Sequence, residues 1–272
     1  MMNRLKVYEN DSKVRLVILK GTGRAFCAGG DVVALYRFMT AGHWSFGASF
    51  FKKFSNLEYL VATYKKPLVA LIDGMVMGGG AGVSMLARFK IVTENTNILI
   101  KFSSENVYIG ACYAGSAIGS YVGETYFLSR LPGYLGEYLG LTGARIDGAE
   151  MIACGLATHF VCSKDLQALE NALSEVAPSE TIEISQLISK FIGKPNLKQS
   201  SAISRLEIVN KCFSGETVED ILLTLWQPSK LELVEEEMVD RCFGRVDEAD
   251  WEPLQLPPRS NLVHDNNVAS KL

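Results

Sequence analysis

Two glycine-rich stretches hold the residue types best suited to chemistry: Gly21-Thr22-Gly23-Arg24-Ala25-Phe26-Cys27-Ala28-Gly29-Gly30-Asp31 and Met77-Gly78-Gly79-Gly80-Ala81-Gly82. Each follows an apolar run that reads as a buried strand, so each places free backbone N–H groups at a strand end. Donors around Ala28 to Gly30 and at Gly79, facing a common oxygen, would polarise a carbonyl without metal or cofactor. Fixed dipoles of this kind favour a developing enolate or tetrahedral oxyanion over the ground state, by on the order of 3 kcal/mol per good donor. Tight βα turns would use the same glycines for steric reasons alone. Neither stretch is a nucleotide fingerprint, because the first lacks Gly-x-Gly-x-x-Gly spacing and the Lys-Ser/Thr ending of a phosphate loop.

Glu105 is the third candidate, between Ser104 and Asn106 and just past an expected strand at Ile98–Phe102. A carboxylate there, facing the carbonyl site, would act as general base on water or as a nucleophile; an exposed loop glutamate is the alternative. Asp31 is suited to cap the following helix or orient the turn, and Arg24 either touches a phosphate or remains a solvated charge. His43, His159 and His264 are dispersed without metal spacing, and His159, within Thr158-His159-Phe160-Val161, reads as a structural histidine. Cys27 invites a nucleophile reading, but its apolar neighbours favour packing.

These residues must be held by a framework, and 272 residues that are 48% hydrophobic, with 24 glycines and 21% charged, point to a compact α/β core. A formal net charge of −3 offers no global attraction to nucleic acid or an anionic membrane. Six cysteines, Cys27, Cys112, Cys154, Cys162, Cys212 and Cys242, are scattered singly, without zinc spacing or an upstream secretion signal, and read as reduced thiols. Asp73, Arg88 and Lys90 interrupt the longest apolar stretches, so no membrane span is expected. The chain closes on Ser270-Lys271-Leu272 after a polar run, an address for peroxisomal import that implies an import receptor as partner.

Periodicity predicts a short helix over residues 1–10, a strand over Val14–Lys20, a helix from Asp31 to Tyr36 and an amphipathic helix from Trp44 to Thr63. A strand at Leu68–Ile72 leads through an Asp73-Gly74 turn to a small-residue helix around Val83–Ala87. Short strands follow at Phe89–Val92 and Ile98–Phe102, with helices over Tyr134–Leu141 and Gly148–Cys154 and a strand at Ala157–Val161. Leu166–Leu173 and Thr181–Phe191 read as helices, and another is expected between Asn210 and Leu225, beginning near Thr217-Val218-Glu219. Beyond Trp226 the acidic runs and Pro253, Pro257 and Pro258 favour a wrapped or extended segment.

Taken together the motifs resemble the crotonase (enoyl-CoA hydratase/isomerase) superfamily, and within it the plant 3-hydroxyisobutyryl-CoA hydrolase-like branch. The resemblance is carried by Arg24-Ala25-Phe26-Cys27-Ala28-Gly29-Gly30-Asp31, by Asp73-Gly74 through Gly80, and by Tyr126-Phe127-Leu128-Ser129-Arg130-Leu131-Pro132-Gly133. Leu141-Thr142-Gly143-Ala144-Arg145 and Gly155-Leu156-Ala157-Thr158-His159-Phe160-Val161 extend it. It implies a spiral of ββα units with an incomplete helical C-terminal region: a core over residues 1–200 lacking the usual N-terminal hairpin, and a shortened region over 201–272. It further implies an acyl-CoA substrate, no separate cofactor, an oxyanion hole at Gly30 and Gly79, and Glu105 as the catalytic glutamate. Arg24, Ala28, Gly29, Asp31 and Gly78 would contact substrate or CoA. Hydrolysis of a 3-hydroxyacyl-CoA, as in valine breakdown, is the implied reaction.

Three departures from the family pattern shape the alternatives. Relatives carry Pro-Glu, then an aspartate eight residues after the glutamate; here Ser104 precedes Glu105 and Tyr113 follows at that distance. The stretch from Ala111 to Thr125 is longer than the family segment, and Glu124 is its sole acidic residue. The chain begins after the family's first hairpin, and near Leu225–Trp226 it jumps toward the family's C-terminal segment, omitting roughly 80 residues. An enoyl-CoA hydratase or isomerase is a second reading, although Gly82 stands where hydratases commonly carry another glutamate. A catalytically impaired CoA binder or assembly subunit, homo-oligomeric or associated with a full-length relative, is the third.

Overall fold

The computed structural model describes residues 1–99, 123–142, 144–176, 180–217 and 220–221. Glu105, Ser104, Tyr113 and the C-terminal Ser270-Lys271-Leu272 lie outside the described residues.

The chain opens with helix α1 (Met2–Asn10), followed by β1 (Val17–Lys20) and β2 (Ala25–Ala28). Helices α2 (Val32–Thr40) and α3 (Trp44–Ala62) lead to β3 (Leu68–Ile72) and β4 (Met75–Met77), with α4 (Gly78–Met85) directly after. A third strand pair, β5 (Phe89–Val92) and β6 (Asn97–Leu99), repeats the pattern. Then come α5 (Glu124–Leu128), α6 (Leu135–Thr142), β7 (Arg145–Asp147), α7 (Gly148–Ala153) and β8 (His159–Phe160). Helices α8 (Ser163–Val176), α9 (Thr181–Ser189) and α10 (Leu206–Phe213) complete the described elements.

Successive strands divide themselves between two sheets. One runs β1-β3-β5-β8 with every neighbour parallel; the other runs β2-β4-β6-β7, with β7 antiparallel to β6. Each turn of the chain thus adds one strand to each sheet before a helix returns it to the start, which is the ββα spiral.

β3 shows how sequence enforces this layering. All five of its residues are buried, as expected of a parallel strand covered on both faces. Its alternation sends Val69 and Leu71 into a cluster with Leu169, Leu173, Ile184 and Ile188 of α8 and α9. Leu68, Ala70 and Ile72 point the opposite way, into the larger core with Val76, Ile98 and Ile146 of the second sheet. Burying each of these large side chains contributes roughly 1.5–3 kcal/mol.

Polar groups close the ends of the strand pairs. Thr93 Oγ1 donates to Asp73 Oδ1 at 2.6 Å, Asn95 Nδ2 to the same oxygen at 3.2 Å, and Thr96 Oγ1 to the Ile72 carbonyl at 2.5 Å. This ties the β3–β4 corner to the β5–β6 corner. At α7 the Asp147–Glu150 capping box satisfies both N-terminal donors, and Ser201 Oγ donates to Glu150 Oε1 at 2.6 Å.

Several elements differ from the sequence expectation. The first glycine stretch is not a single turn, because Ala25–Ala28 pairs with β4 as a strand. The β strand expected from Val14 begins at Val17, and the helix expected around Val83–Ala87 starts at Gly78. A helix that the sequence reading did not mark occupies Leu206–Phe213, where its apolar face places Val209 and Phe213 in a small core with Ile221; of the helix expected to begin near Thr217, Asp220 and Ile221 are helical and the rest lies outside the described residues.

Candidate active site

The two glycine stretches meet. In the β2–β4 register Ala28 lies beside Met77, so the chain leaves both strands at the same level, into Gly29 on one side and Gly78 on the other. Both residues have left-handed backbones, φ +98° at Gly29 and +54° at Gly78. A Cβ on Gly78 would stand 3.2 Å from the Gly29 Cα, so the turns are in direct backbone contact.

Gly78 and Gly79 form the first positions of α4, whose N-cap residue, Met77, makes no side-chain capping hydrogen bond. The leading N–H groups of a helix have no partner within it, and here none is supplied by a cap side chain. Among the described residues no cap side chain takes them, and the positive end of the helix dipole lies behind them, which suits an external oxygen. Across the turn, Ala28, Gly29 and Gly30 are exposed, and a Cβ at Gly30 would meet nothing within 4 Å.

Close packing accounts for the second stretch. A Cβ at Gly80 would lie 2.1 Å from Cys27 Cβ and 2.6 Å from its sulfur, so α4 sits directly on β2. Cys27 is accordingly a packing residue against the α4 backbone, as its apolar neighbours suggested. A Cβ at Gly79 would meet Phe54 Cε2 at 2.8 Å. Phe54 in turn stacks on Phe50, with ring centroids 6.5 Å apart, and so continues an aromatic face of α3 toward the site.

The flanking charges fall into two groups. Asp31 accepts the Ala34 N–H at 2.9 Å and caps α2, as one of its two expected roles required. Arg24 is exposed, while its carbonyl is wedged under Gly74, where a Cβ would come within 2.2 Å of it. That contact, with φ +77° at Gly74, explains the Asp73-Gly74 corner. His159 bonds to Thr158 Oγ1 at 2.9 Å and lies beside Phe89, and burial lowers its pKa, all consistent with a structural role.

One feature escaped the sequence reading. Glu58, on α3 and half-buried, lies close enough to Glu124, the first residue of α5, for their charges to repel; Glu124 is 3% exposed. Glu58 Oε1 and Glu124 Oε2 are buried without a hydrogen-bond partner among the described residues. Burial pushes Glu58 up to about 7, and burial together with the Glu58 charge pushes Glu124 up to about 8. The available signal was Glu58 lying four residues after Phe54 on the same apolar helix face.

Comparison with known proteins fixes the family. A family profile described as "Enoyl-CoA hydratase/isomerase" matches residues 1–230. The chain belongs to this family, the crotonase superfamily. Among its relatives, "Probable 3-hydroxyisobutyryl-CoA hydrolase 3" of Arabidopsis thaliana is 37% identical over 354 aligned positions, covering 100% of this chain and 90% of that protein. With 272 residues in the chain, some eighty of those positions have no counterpart here, the scale of the omission expected from the sequence. "3-hydroxyisobutyryl-CoA hydrolase 1" of the same plant is 49% identical over 218 residues, 80% of this chain, and the chain spans only 55% of its length. The crystal structure of a carnitinyl-CoA dehydratase from Mycobacterium thermoresistibile superposes with a TM-score of 0.68 at 32% identity, over 88% of this chain and 64% of that one. The crotonase-like α/β architecture expected from the motifs is therefore established. Nothing in these comparisons assigns roles to Gly30, Gly79 or Glu105.

Proposed function

We propose that this crotonase-family chain hydrolyses an acyl-CoA thioester of the 3-hydroxyacyl class, 3-hydroxyisobutyryl-CoA being the first candidate, to free acid and CoA. The observation that carries the proposal is the contact between the two glycine turns, which brings the Gly30 and Gly79 N–H groups to neighbouring strand ends. In this reading the thioester oxygen sits between them, and the negative charge that develops there is met by donors already in place. Glu105 takes a proton from water as it attacks the carbonyl carbon, or attacks directly and forms an acyl intermediate. Ala28, Gly29, Asp31 and Gly78 line the approach, with Arg24 near the CoA phosphates.

The test is release of free thiol from a panel of acyl-CoA esters by the purified chain, followed with a chromogenic thiol reagent. Turnover of 3-hydroxyisobutyryl-CoA, and its loss by about a hundredfold or more in Glu105→Gln with CoA affinity retained, is the expected result. No thiol from any ester would defeat the hydrolase reading.

Hydration of an enoyl-CoA is a second reading favoured by the same oxyanion turns, and the family description includes it. Gly82, buried in α4, leaves no carboxylate at the place where hydratases of the resembling family commonly carry one. Loss of enoyl absorbance from crotonyl-CoA distinguishes it. We also propose peroxisomal import through Ser270-Lys271-Leu272; a fluorescent fusion that remains diffuse with the free C-terminus intact would refute it.

A further inference from the structure

Helix α3 turns phenyl rings toward solvent where a surface helix ordinarily carries polar groups. Phe46, Phe50 and Phe54 recur at four-residue spacing, so one face of the helix holds all three. Phe46 is 48% exposed and Phe50 46%, and Phe38 of α2, 41% exposed, sets its ring centroid 4.4 Å from that of Phe46. Phe38, Phe46 and Phe50 belong to no core cluster among the described residues; α3 is seated instead through Leu57, Leu60 and Val61. Lone exposed apolar side chains are ordinary, but a contiguous row of them marks a binding surface.

The row has a direction. Its last ring, Phe54, is half-buried against the start of α4, where a Cβ on Gly79 would stand 2.8 Å from Phe54 Cε2. One turn back, the Phe50 ring lies nearly parallel to that of Phe54, at an interplanar angle of 15°. A further turn back, Phe46 joins Phe38, His43, Ser45 and Ser49 around an open groove of about 420 Å³. Small-ligand sites run from roughly 300 to 1,000 Å³. At about 1.5 Å per residue, the row from Phe54 to Phe46 spans roughly 12 Å along the helix axis.

Two arms leave a thioester carbonyl, and the chain offers two directions from the glycine turns. Arg24, assigned above to the CoA phosphates, precedes β2, whereas Gly29 follows it, a separation of roughly 16 Å at about 3.3 Å per residue. In that reading the CoA arm runs back along β2. Helix α2 begins at Val32, just past the opposite end of the strand, and packs on α3. The aromatic row is thereby left to the acyl arm.

We propose that Phe54, Phe50 and Phe46, with Phe38 beside the last, form an acyl channel, and that the site takes thioesters with medium-chain aliphatic or aryl-bearing acyl groups as well as short hydroxyacyl ones. This rests on the thioester reading of the glycine turns. Phe54 covers the carbons next to the carbonyl, Phe50 the middle of the chain, and Phe46 with Phe38 its far end. Phenyl faces and edges accept either methylenes or another ring. The three positions on α3 act as a ruler graduated in helical turns of about 6 Å. Beyond Phe46 the groove is rimmed by His43, Ser45 and Ser49, so a longer chain re-enters water and gains nothing more.

Calorimetric titration of the full chain with a series of oxoalkyl-CoA thioethers reads the channel without turnover. These compounds keep the carbonyl oxygen but place a methylene between it and sulfur, so they are not hydrolysed. The expected result is affinity that rises about threefold per added methylene and levels off once the chain outruns the row. Phe50→Ser should weaken the octyl-length member tenfold or more and leave the shortest within twofold. Phe46→Ser should weaken only the longest members, and Phe50→Leu, which keeps an apolar surface, should stay within threefold of wild type throughout. Ile182→Ser, on α9 and 67% exposed in wild type, should change nothing.

Affinity that is flat with chain length overturns the proposal, and so does a Phe50→Ser loss equal for short and long members. Flat affinity together with a dimer in sedimentation that Phe50→Ser dissolves assigns the row to a second copy of the chain and likewise overturns it. Length-dependent binding with no thiol released from any ester defeats the hydrolase reading and leaves the channel standing. Thiol release from 3-hydroxyisobutyryl-CoA with flat affinities does the reverse.

Discussion

The two glycine turns touch each other yet depend on glycine for different reasons. In the first, Gly29 and Gly30 are exposed, and a Cβ on either would meet nothing; what Gly29 needs is its backbone, at φ +98°. In the second, only the leading Gly78 shares the left-handed backbone, at φ +54°; Gly79 and Gly80 have no unusual backbone, and their constraint is space, against Phe54 and Cys27. One half of the site is conformational and adjustable; the other half is a close-packed seat. The comparison teaches that the proposed oxyanion donors would share a function without sharing a tolerance, and that the helix half sets the position to which the loop half must adapt.

Substitutions can break that distinction, beginning with the most severe. Gly80→Ala forces a methyl group into Cys27 and should destabilise the chain by roughly 2 kcal/mol or more, measured by denaturant unfolding. Cys27→Gly in the same chain should recover much of that loss, because it removes the colliding Cβ; failure to recover would show that α4 does not rest on β2. Gly79→Ala meets only the rim of the Phe54 ring, which can turn, so the chain should fold while kcat for thioester hydrolysis falls about tenfold. Adding Phe54→Leu should restore part of the rate. Gly29→Ala should cost about 1–2 kcal/mol of stability through its left-handed backbone alone, with no second-site rescue available. Gly30→Ala should be the mildest, within about 0.5 kcal/mol of wild type and within threefold in kcat. A Gly30 effect as large as that of Gly80 would erase the proposed difference between the halves.

The same contrast explains what was legible in the sequence. Glycine at Gly29, Gly30, Gly78 and Gly79 marked both turns, and buried runs such as Leu68–Ile72 marked the strands behind them. What remained hidden was β2 and β4. Ala25–Ala28 and Met75–Met77 are too short for an alternating pattern, and it is their pairing with each other, not local preference, that makes them strands. Helix α4 was also read as starting late, because a Gly-Gly-Gly-Ala-Gly opening has poor helix propensity. Its small residues gain more from approaching β2 and α3 than they lose in backbone entropy, and the helix begins five residues earlier than propensity indicates. Glu58 went unnoticed because a single glutamate on an apolar helix face has the same appearance in sequence whether it reaches solvent or another carboxylate. Only the fold sets Glu124 beside it.

The division of each strand pair between two sheets has a mechanical consequence. β1 and β2 are the outer strands of their respective sheets among the described residues, and only the four residues 21–24 separate one from the other. Neither sheet can therefore lose or gain its outer strand independently. Detaching this first winding would strip an edge from both sheets together and uncover β3 and β4 in a single event. The glycine seat at Gly78 would lose its partner at Gly29 in that same event, so peeling of the outer winding and loss of the proposed oxyanion site should be one cooperative transition.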